Sequence, residues 1–370
     1  MSPEITAEMS PEMSAEMSPE MSPEMSDTAW RMPAETEPHA QSWMAWPSQG
    51  YTLGDTDAEA DVARATWAAV ANAIVEHEPL HMLVPAHEEA AARRHLSAAV
   101  ELHVVPLDDA WYRDSGPTFV LGPSGLGAVN WVFNGWGQQD WARWEYDAVA
   151  SEVATAHGGA TRIGSPMVNE GGGLHTDGAG TFLVTVTVQL DPLRNPGWTK
   201  AGVEAELART LGACQVLWLP RGLTRDADRF GTKGHVDIVA TFAAPGRLLV
   251  HDQRDPAHPD HRVCRDIHEV LDQAVDADGK PLELIRLPAP ATLRDSEGWV
   301  DYSYVNHYVL NGAVVACSFV DPVDDEAAEI LADAYQGREV LRVDARPLFA
   351  RGGGVHCITQ QQPAVPEGSR

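Results

Sequence analysis

Positive charge is what this 370-residue chain has least of: 26 lysines and arginines stand against 54 aspartates and glutamates, a formal net charge of −28. Nucleic acid and anionic membranes are polyanions, so neither suits this chain as its main partner. A cationic small molecule does. Cysteine is scarce too, and Cys214, Cys264, Cys317 and Cys357 are widely spaced with no CxxC. That pattern argues against a disulfide framework or a cysteine-based zinc knuckle, and for a reducing, cytoplasmic setting. The N-terminus has no lysine or arginine before Arg31 and no continuous apolar core, unlike a secretory signal, and no later apolar run is long enough to cross a bilayer.

The length alone suggests more than one domain, but the organisation points elsewhere. Residues 8–26, "EMSPEMSAEMSPEMSPEMS", form a low-complexity repeat with no periodic apolar face, so residues 1–28 are expected to be a disordered acidic tail, with a docking arm as the alternative. A helix is predicted in "AEADVARATWAAVANAIVEHE", where Val62, Trp67, Val70 and Ile74 recur at helical spacing. "LHMLVP" reads as a buried strand and "EEAAARRHLSAA" as a second helix. A theme then repeats five times, a polar, glycine-bearing segment followed by an apolar strand: "WYRDSGPTFVLG", "NEGGGLHTDGAGTFLVTVTV", "GTKGHVDIVATF", "SYVNHYVLNGAVVACSF" and "RGGGVHCITQQQP". Helical stretches such as "AGVEAELARTLG" and "DDEAAEILADAYQG" lie between, the latter ending at Gly337. Five α/β units with their polar ends facing a shared centre would make one cyclic domain over 29–370; an ordinary α/β sheet is the alternative.

The same segments hold the candidate chemistry. Cys357 follows three glycines that let a substrate approach the backbone, and a thiolate is the strongest side-chain nucleophile at neutral pH. Cys214 and Cys317 read as core residues. His235 and Asp237 alternate on a predicted strand, which would turn both to one side, a proton carrier beside a carboxylate. In "WYRDSG", Asp114 would share a strand face with Tyr112, Trp111 offers a flat wall to a planar cation, and Arg113 braces the loop. Glu170 precedes another glycine triplet, and His175 and Asp177 read as a structural pair. Three carboxylates with one histidine and one cysteine suit a planar cation rich in N–H donors, and guanidinium fits that description.

These motifs, with "MPAETEPHAQSWMAWP", "NWVFNGWG" and "ITQQQP", resemble the agmatine deiminase family, related to bacterial peptidyl-arginine deiminases, over residues 31 to 363. The resemblance implies the pentein fold, a five-bladed α/β propeller, and hydrolysis of a guanidinium to a ureido group plus ammonia without metal or organic cofactor. It implies Cys357 as nucleophile and His235 as general acid/base. Asp114, Glu170 and Asp237 would hold the guanidinium, with Trp111, Gly353 and Asn306 also lining the substrate site. The chain departs from the family pattern at Ile238, Lys233, Gly354 and Thr36, none of them a proposed catalytic group. The "NWVFNGWGQQD" segment lacks the arginines of the peptidyl-arginine relatives, which favours agmatine, and the resemblance leaves a homo-oligomer open. A peptidyl-arginine or other guanidine deiminase is the main alternative. Others are an amidinotransferase, a non-catalytic guanidine-binding protein, and a zinc hydrolase built on His175, Asp177, His235, Asp237 and Cys357. The histidine-rich "HDQRDPAHPDHR", with His251, His258 and His261, reads as a solvated loop.

Overall fold

The protein is seen in a computed structural model that describes residues 30–366, so the expected tail at 1–28 lies outside the described residues. The strands are β1 (His39–Ala45), β2 (Leu80–Val84), β3 (Glu101–Val104), β4 (Thr118–Gly122), β5 (Gly125–Val132), β6 (Thr161–Val168), β7 (Leu174–Thr176), β8 (Thr181–Thr185), β9 (Gln215–Leu219), β10 (Ala240–Ala244), β11 (Arg247–Asp252), β12 (Glu283–Pro288), β13 (Tyr308–Leu310), β14 (Ala313–Ser318), β15 (Glu339–Asp344) and β16 (Thr359–Pro363). They form five separate sheets, ordered β4-β5-β6, β7-β8-β9, β10-β11-β12, β13-β14-β15 and β16-β1-β2-β3.

Each sheet is built alike. Its first two strands pair antiparallel and its second and third pair parallel. A parallel neighbour requires a crossover, and helices Ser151–His157, Lys200–Leu211, Asp260–Leu271, Asp324–Ala334 and Asp57–Val75 lie between the second and third strands of the five units. The fifth unit takes its first strand, β16, from the C-terminus and the rest from the N-terminus, closing the chain on itself. The repeat expected from the sequence is therefore present, and each of its polar segments falls just before the first strand of a unit.

Helix Asp57–Val75 opens with a reciprocal capping box between Thr56 and Glu59, the arrangement that satisfies two free N–H groups at a helix start. It buries Ala63, Trp67, Val70 and Ile74, but Val62, expected on that face, is 45% exposed. Trp67 meets Trp111 edge-on at 5.6 Å, so this helix props one wall of the site. Truncating Trp67 to alanine would cost about 3–5 kcal/mol.

Other expectations fail locally. Cys214 is exposed rather than core, while Cys317 is buried. The "HDQRDPAHPDHR" segment is no solvated loop: His251 lies on β11, His251 and His258 are buried, and a helix begins at Asp260. Its histidines are absorbed by neighbours, His251 by Ser303 and His261 by the Gln253 carbonyl. The helix expected to run to Gly337 ends at Ala334, and Gly337, at φ +84°, forms the turn after it.

Candidate active site

Five short segments, one ahead of each first strand, meet at one place. Asp114 sits on the helical turn Tyr112–Ser115, Glu170 just before the turn Gly171–Gly173, and His235 and Asp237 at the turn Val236–Ile238. Asn306 precedes β13, and Cys357 lies on the turn His356–Ile358 before β16. Here the sequence reading needs correction. His235 and Asp237 do not alternate along a strand, nor do Asp114 and Tyr112. Gly234 bends the chain at φ +116°, and the tight turn that follows, rather than a pleat, aims the side chains. All of these groups are buried.

Gly172 marks the centre. A Cβ there would lie 2.5 Å from His235 Nδ1 and 3.0 Å from both Asp114 Oδ1 and Asp237 Oδ2. The two carboxylates and the imidazole thus surround one point against bare backbone. Cys357 Sγ is 3.6 Å from Asp237 Oδ2 and accepts from Asn306 Nδ2 at 3.3 Å. Gly353 serves the thiol similarly, since a Cβ on it would meet Trp111 at 2.7 Å and Sγ at 3.0 Å. Trp111 is fixed by its Nε1–H donating to Thr52 Oγ1 at 3.2 Å.

Surrounding groups set the charge states. Glu170 lies 3.0 and 3.1 Å from Arg194 Nε through its two oxygens, and its Oε2 is 3.3 Å from His235 Nε2. Burial would raise the Glu170 carboxyl, but Arg194 and His235 hold it below its usual range. Burial would lower His235, yet Asp114, Glu170 and Asp237 outweigh it and lift the imidazole to about 9. Because Glu170 engages Nε2, the proton that His235 can pass on is at Nδ1, a buried atom with no hydrogen-bond partner among the described residues. Asp237 Oδ1 is likewise unpartnered, and so is able to accept from a guanidinium. Asp114 takes N–H bonds from Gly172 at 3.1 Å and Trp136 Nε1 at 2.8 Å. Burial, reinforced by Glu170 and Asp237 and opposed by His235, pushes it up to about 6. Burial, then Asp237 and Asp114, push the Cys357 thiol well above its usual value. A cation between those carboxylates would remove part of that penalty.

The sequence reading missed the layer beneath. His356, adjacent to the cysteine, donates from Nδ1 to Asp237 Oδ2 and from Nε2 to Glu35 Oε1, both at 2.8 Å. Burial and Arg113 oppose its charge, but the carboxylates of Glu35 and Asp237, one on each nitrogen, raise its pKa and favour the doubly donating imidazolium. Arg113 is a brace, as expected: it lies 3.4 Å from Glu35 and donates to the His356 carbonyl. Glu35, His175 and His356 come within metal-ligand range of one another, but a doubly donating imidazolium has no lone pair for a metal. The zinc set expected as an alternative does not gather either. Asp177 caps its own turn at Ala179 and Thr181, and His175 bonds Thr241 Oγ1 at 2.7 Å rather than Asp177.

An aromatic train leads outward from Asp114. Buried Trp136 stacks on Trp141 at 5.4 Å, Trp141 meets Phe230 at 5.2 Å, and Phe230 stacks face to face on Tyr51 at 3.8 Å. Trp136 and Phe230 hold left-handed backbone conformations, φ +55° and +72°, costly for aromatic residues and common where function fixes the geometry. Beyond Tyr51 and Trp141 lies a cavity of about 290 Å³ that carries Asp108 and Asp109.

Residues 31–363 match the family model for the Porphyromonas-type peptidyl-arginine deiminases. A relative in Streptomyces coelicolor, whose name as an agmatine deiminase is provisional, is 53% identical over 335 residues, 90% of this chain and 98% of its own length. The agmatine deiminase of Stutzerimonas stutzeri is 37% identical over 358 residues, 90% of this chain and 95% of its own. The solved agmatine deiminase of Enterococcus faecalis superposes with a TM-score of 0.85 at 29% identity, covering 90% of this chain and 96% of that one. The expected pentein fold is therefore the fold observed. Matched along all but its two ends, the chain belongs to the family of Porphyromonas-type peptidyl-arginine deiminases.

Proposed function

We propose that this protein hydrolyses the guanidinium of agmatine to a ureido group and ammonia, in the cytoplasm, with Cys357 as nucleophile. One observation carries the reading: Asp237 Oδ2 is 3.6 Å from Cys357 Sγ and 3.0 Å from the point beside Gly172 that His235 Nδ1 and Asp114 also face. Carboxylates on two sides clamp a planar cation through its N–H groups, which supplies both orientation and charge. The clamped cation offsets the negative field on the thiol, so the thiolate forms where the substrate is.

The thiolate attacks the guanidinium carbon, giving a neutral tetrahedral adduct with a new C–S bond. His235 gives its Nδ1 proton to one amino group, the C–N bond breaks, and ammonia leaves behind a cationic S-alkylthiouronium. Water then attacks the same carbon and His235 takes up its proton. As the C–S bond breaks, the adduct's hydroxyl proton passes to solvent, which returns the thiolate and leaves the neutral ureido product. Asn306 Nδ2, 3.3 Å from Sγ, stabilises the thiolate at both ends of the cycle.

A tail without a carboxylate is favoured because both arginines beside the reacting groups already pair with carboxylates of the protein. Arg113 serves Glu35 and the His356 carbonyl, while Arg194 serves Glu170, Asp191 and the Thr232 carbonyl. Agmatine, free arginine and a C-terminal arginine peptide assayed for ureido product test this. Agmatine should give the highest kcat/KM, and faster turnover of the peptide would sink the substrate assignment.

A further inference from the structure

On the sheet that carries β16, three histidines and a glutamate converge, none of them among the catalytic groups. His81 on β2 pairs in register with Glu101 on β3, and His103 follows two residues later, on the same face of its strand. His157 ends the helix Ser151–His157. One donor atom from each of the four lies within 4.8 Å of the others. His81 Nδ1 is 2.9 Å from His103 Nε2 and 3.8 Å from Glu101 Oε2, and His103 Nε2 is 3.7 Å from Glu101 Oε1. Donors on a tetrahedral ion with bonds of 2.0–2.1 Å stand about 3.4 Å apart, so these side chains need only small rotations to close on one.

A chain of hydrogen bonds fixes the ligating form. Gln362 Oε1 accepts from both Trp43 Nε1 at 3.0 Å and Gln41 Nε2 at 2.9 Å. Gln41 therefore turns its own Oε1 to His81 Nε2, 3.1 Å away. An amide oxygen only accepts, so His81 carries its proton on Nε2 and leaves the Nδ1 lone pair facing His103 and Glu101. Holding the distal nitrogen of an imidazole in this way is how proteins orient a metal ligand. Stacking on Trp43, with centroids 4.6 Å apart, fixes the ring plane.

We propose that His81, Glu101, His103 and His157 form a binding site for a divalent transition metal, with Zn²⁺ the best fit. Imidazole and carboxylate donors suit this class. The ion would tie helix Ser151–His157 to strands β2 and β3 and brace the sheet whose edge strand follows the catalytic cysteine.

The test uses the full chain with Cys357→Ala and Cys214→Ser, which removes the catalytic and the exposed thiol as competing ligands. Calorimetric titration with ZnCl₂ should fill one site per chain and raise Tm by a few degrees. His103→Ala with His157→Ala, both nearer the surface than His81, should weaken binding at least tenfold while leaving the far-UV circular dichroism unchanged. Gln41→Leu keeps all four ligands and should still weaken binding several-fold. Equal Zn²⁺ binding by the double histidine variant, or a folded chain that binds none at millimolar metal, overturns the site. So does anomalous scattering that places the ion elsewhere.

Discussion

His356 Nδ1 lies 2.8 Å from Asp237 Oδ2, so the residue next to Cys357 holds the carboxylate that faces its sulfur. Glu35 grips the other ring nitrogen. This Glu35–His356–Asp237 relay fixes the carboxylate whose Oδ2 faces the Cys357 sulfur and the point beside Gly172. Glu35→Gln or His356→Gln should therefore lower kcat/KM for agmatine by up to about 10²-fold through misplacement of Asp237. The double variant should be little worse than the worse single one, because both act through one contact. Additive losses would show that the residues act separately.

Replacing Cys357 by alanine should cut ureido production by at least about 10³-fold while agmatine still binds calorimetrically, because the clamp is intact. Residual turnover close to wild type would place the nucleophile elsewhere.

The pH profile of kcat/KM should be bell-shaped. Asp114, lifted to about 6 by burial, must be ionised to hold the cation, so activity falls below that pH. His235, held at about 9 by its carboxylates against the pull of burial, must be protonated to release ammonia, so activity falls above it. Trp136→Phe removes one hydrogen bond that favours the Asp114 carboxylate and should move the acid limb upward. An acid limb that stays put would separate Asp114 from binding.

Arg194 and Glu170 form a fully buried ion pair. Removing the cation leaves Glu170 uncompensated, so Arg194→Met should lower unfolding free energy in urea by about 3–5 kcal/mol. Arg194→Lys should recover part of this. Unfolding unchanged in both variants would mean that water enters the pair.

A methyl group at Gly172 would occupy the point that Asp114, Asp237 and His235 share. Gly172→Ala should abolish agmatine turnover and binding together, with near-native circular dichroism. Retained binding would mean that the guanidinium lies elsewhere.

Much of this was legible in the sequence because each polar segment is contiguous and directly precedes an apolar strand. Asp114, Glu170, His235, Asp237, Asn306 and Cys357 could be found that way, and all six are gathered at the site. What stayed hidden depends on partners far apart in sequence: Glu35 and His356 are 321 residues apart, and Arg194 reaches Glu170 across 24. Only the position of His356 beside Cys357 hinted at a role. The HxD alternation misled because a tight turn after Gly234 also brings both residues to one side. The histidines at 251 and 258 misled because polar side chains with internal partners are buried as readily as apolar ones.

Every sheet contributes one segment to the reacting centre, and the one that brings the sulfur is completed only when the last strand joins the first. A half-synthesised or clipped chain therefore cannot bring Cys357 beside Asp237 and Asn306. Catalytic competence arrives in one step with ring closure, which makes turnover itself a readout of whether both ends of the polypeptide have found each other.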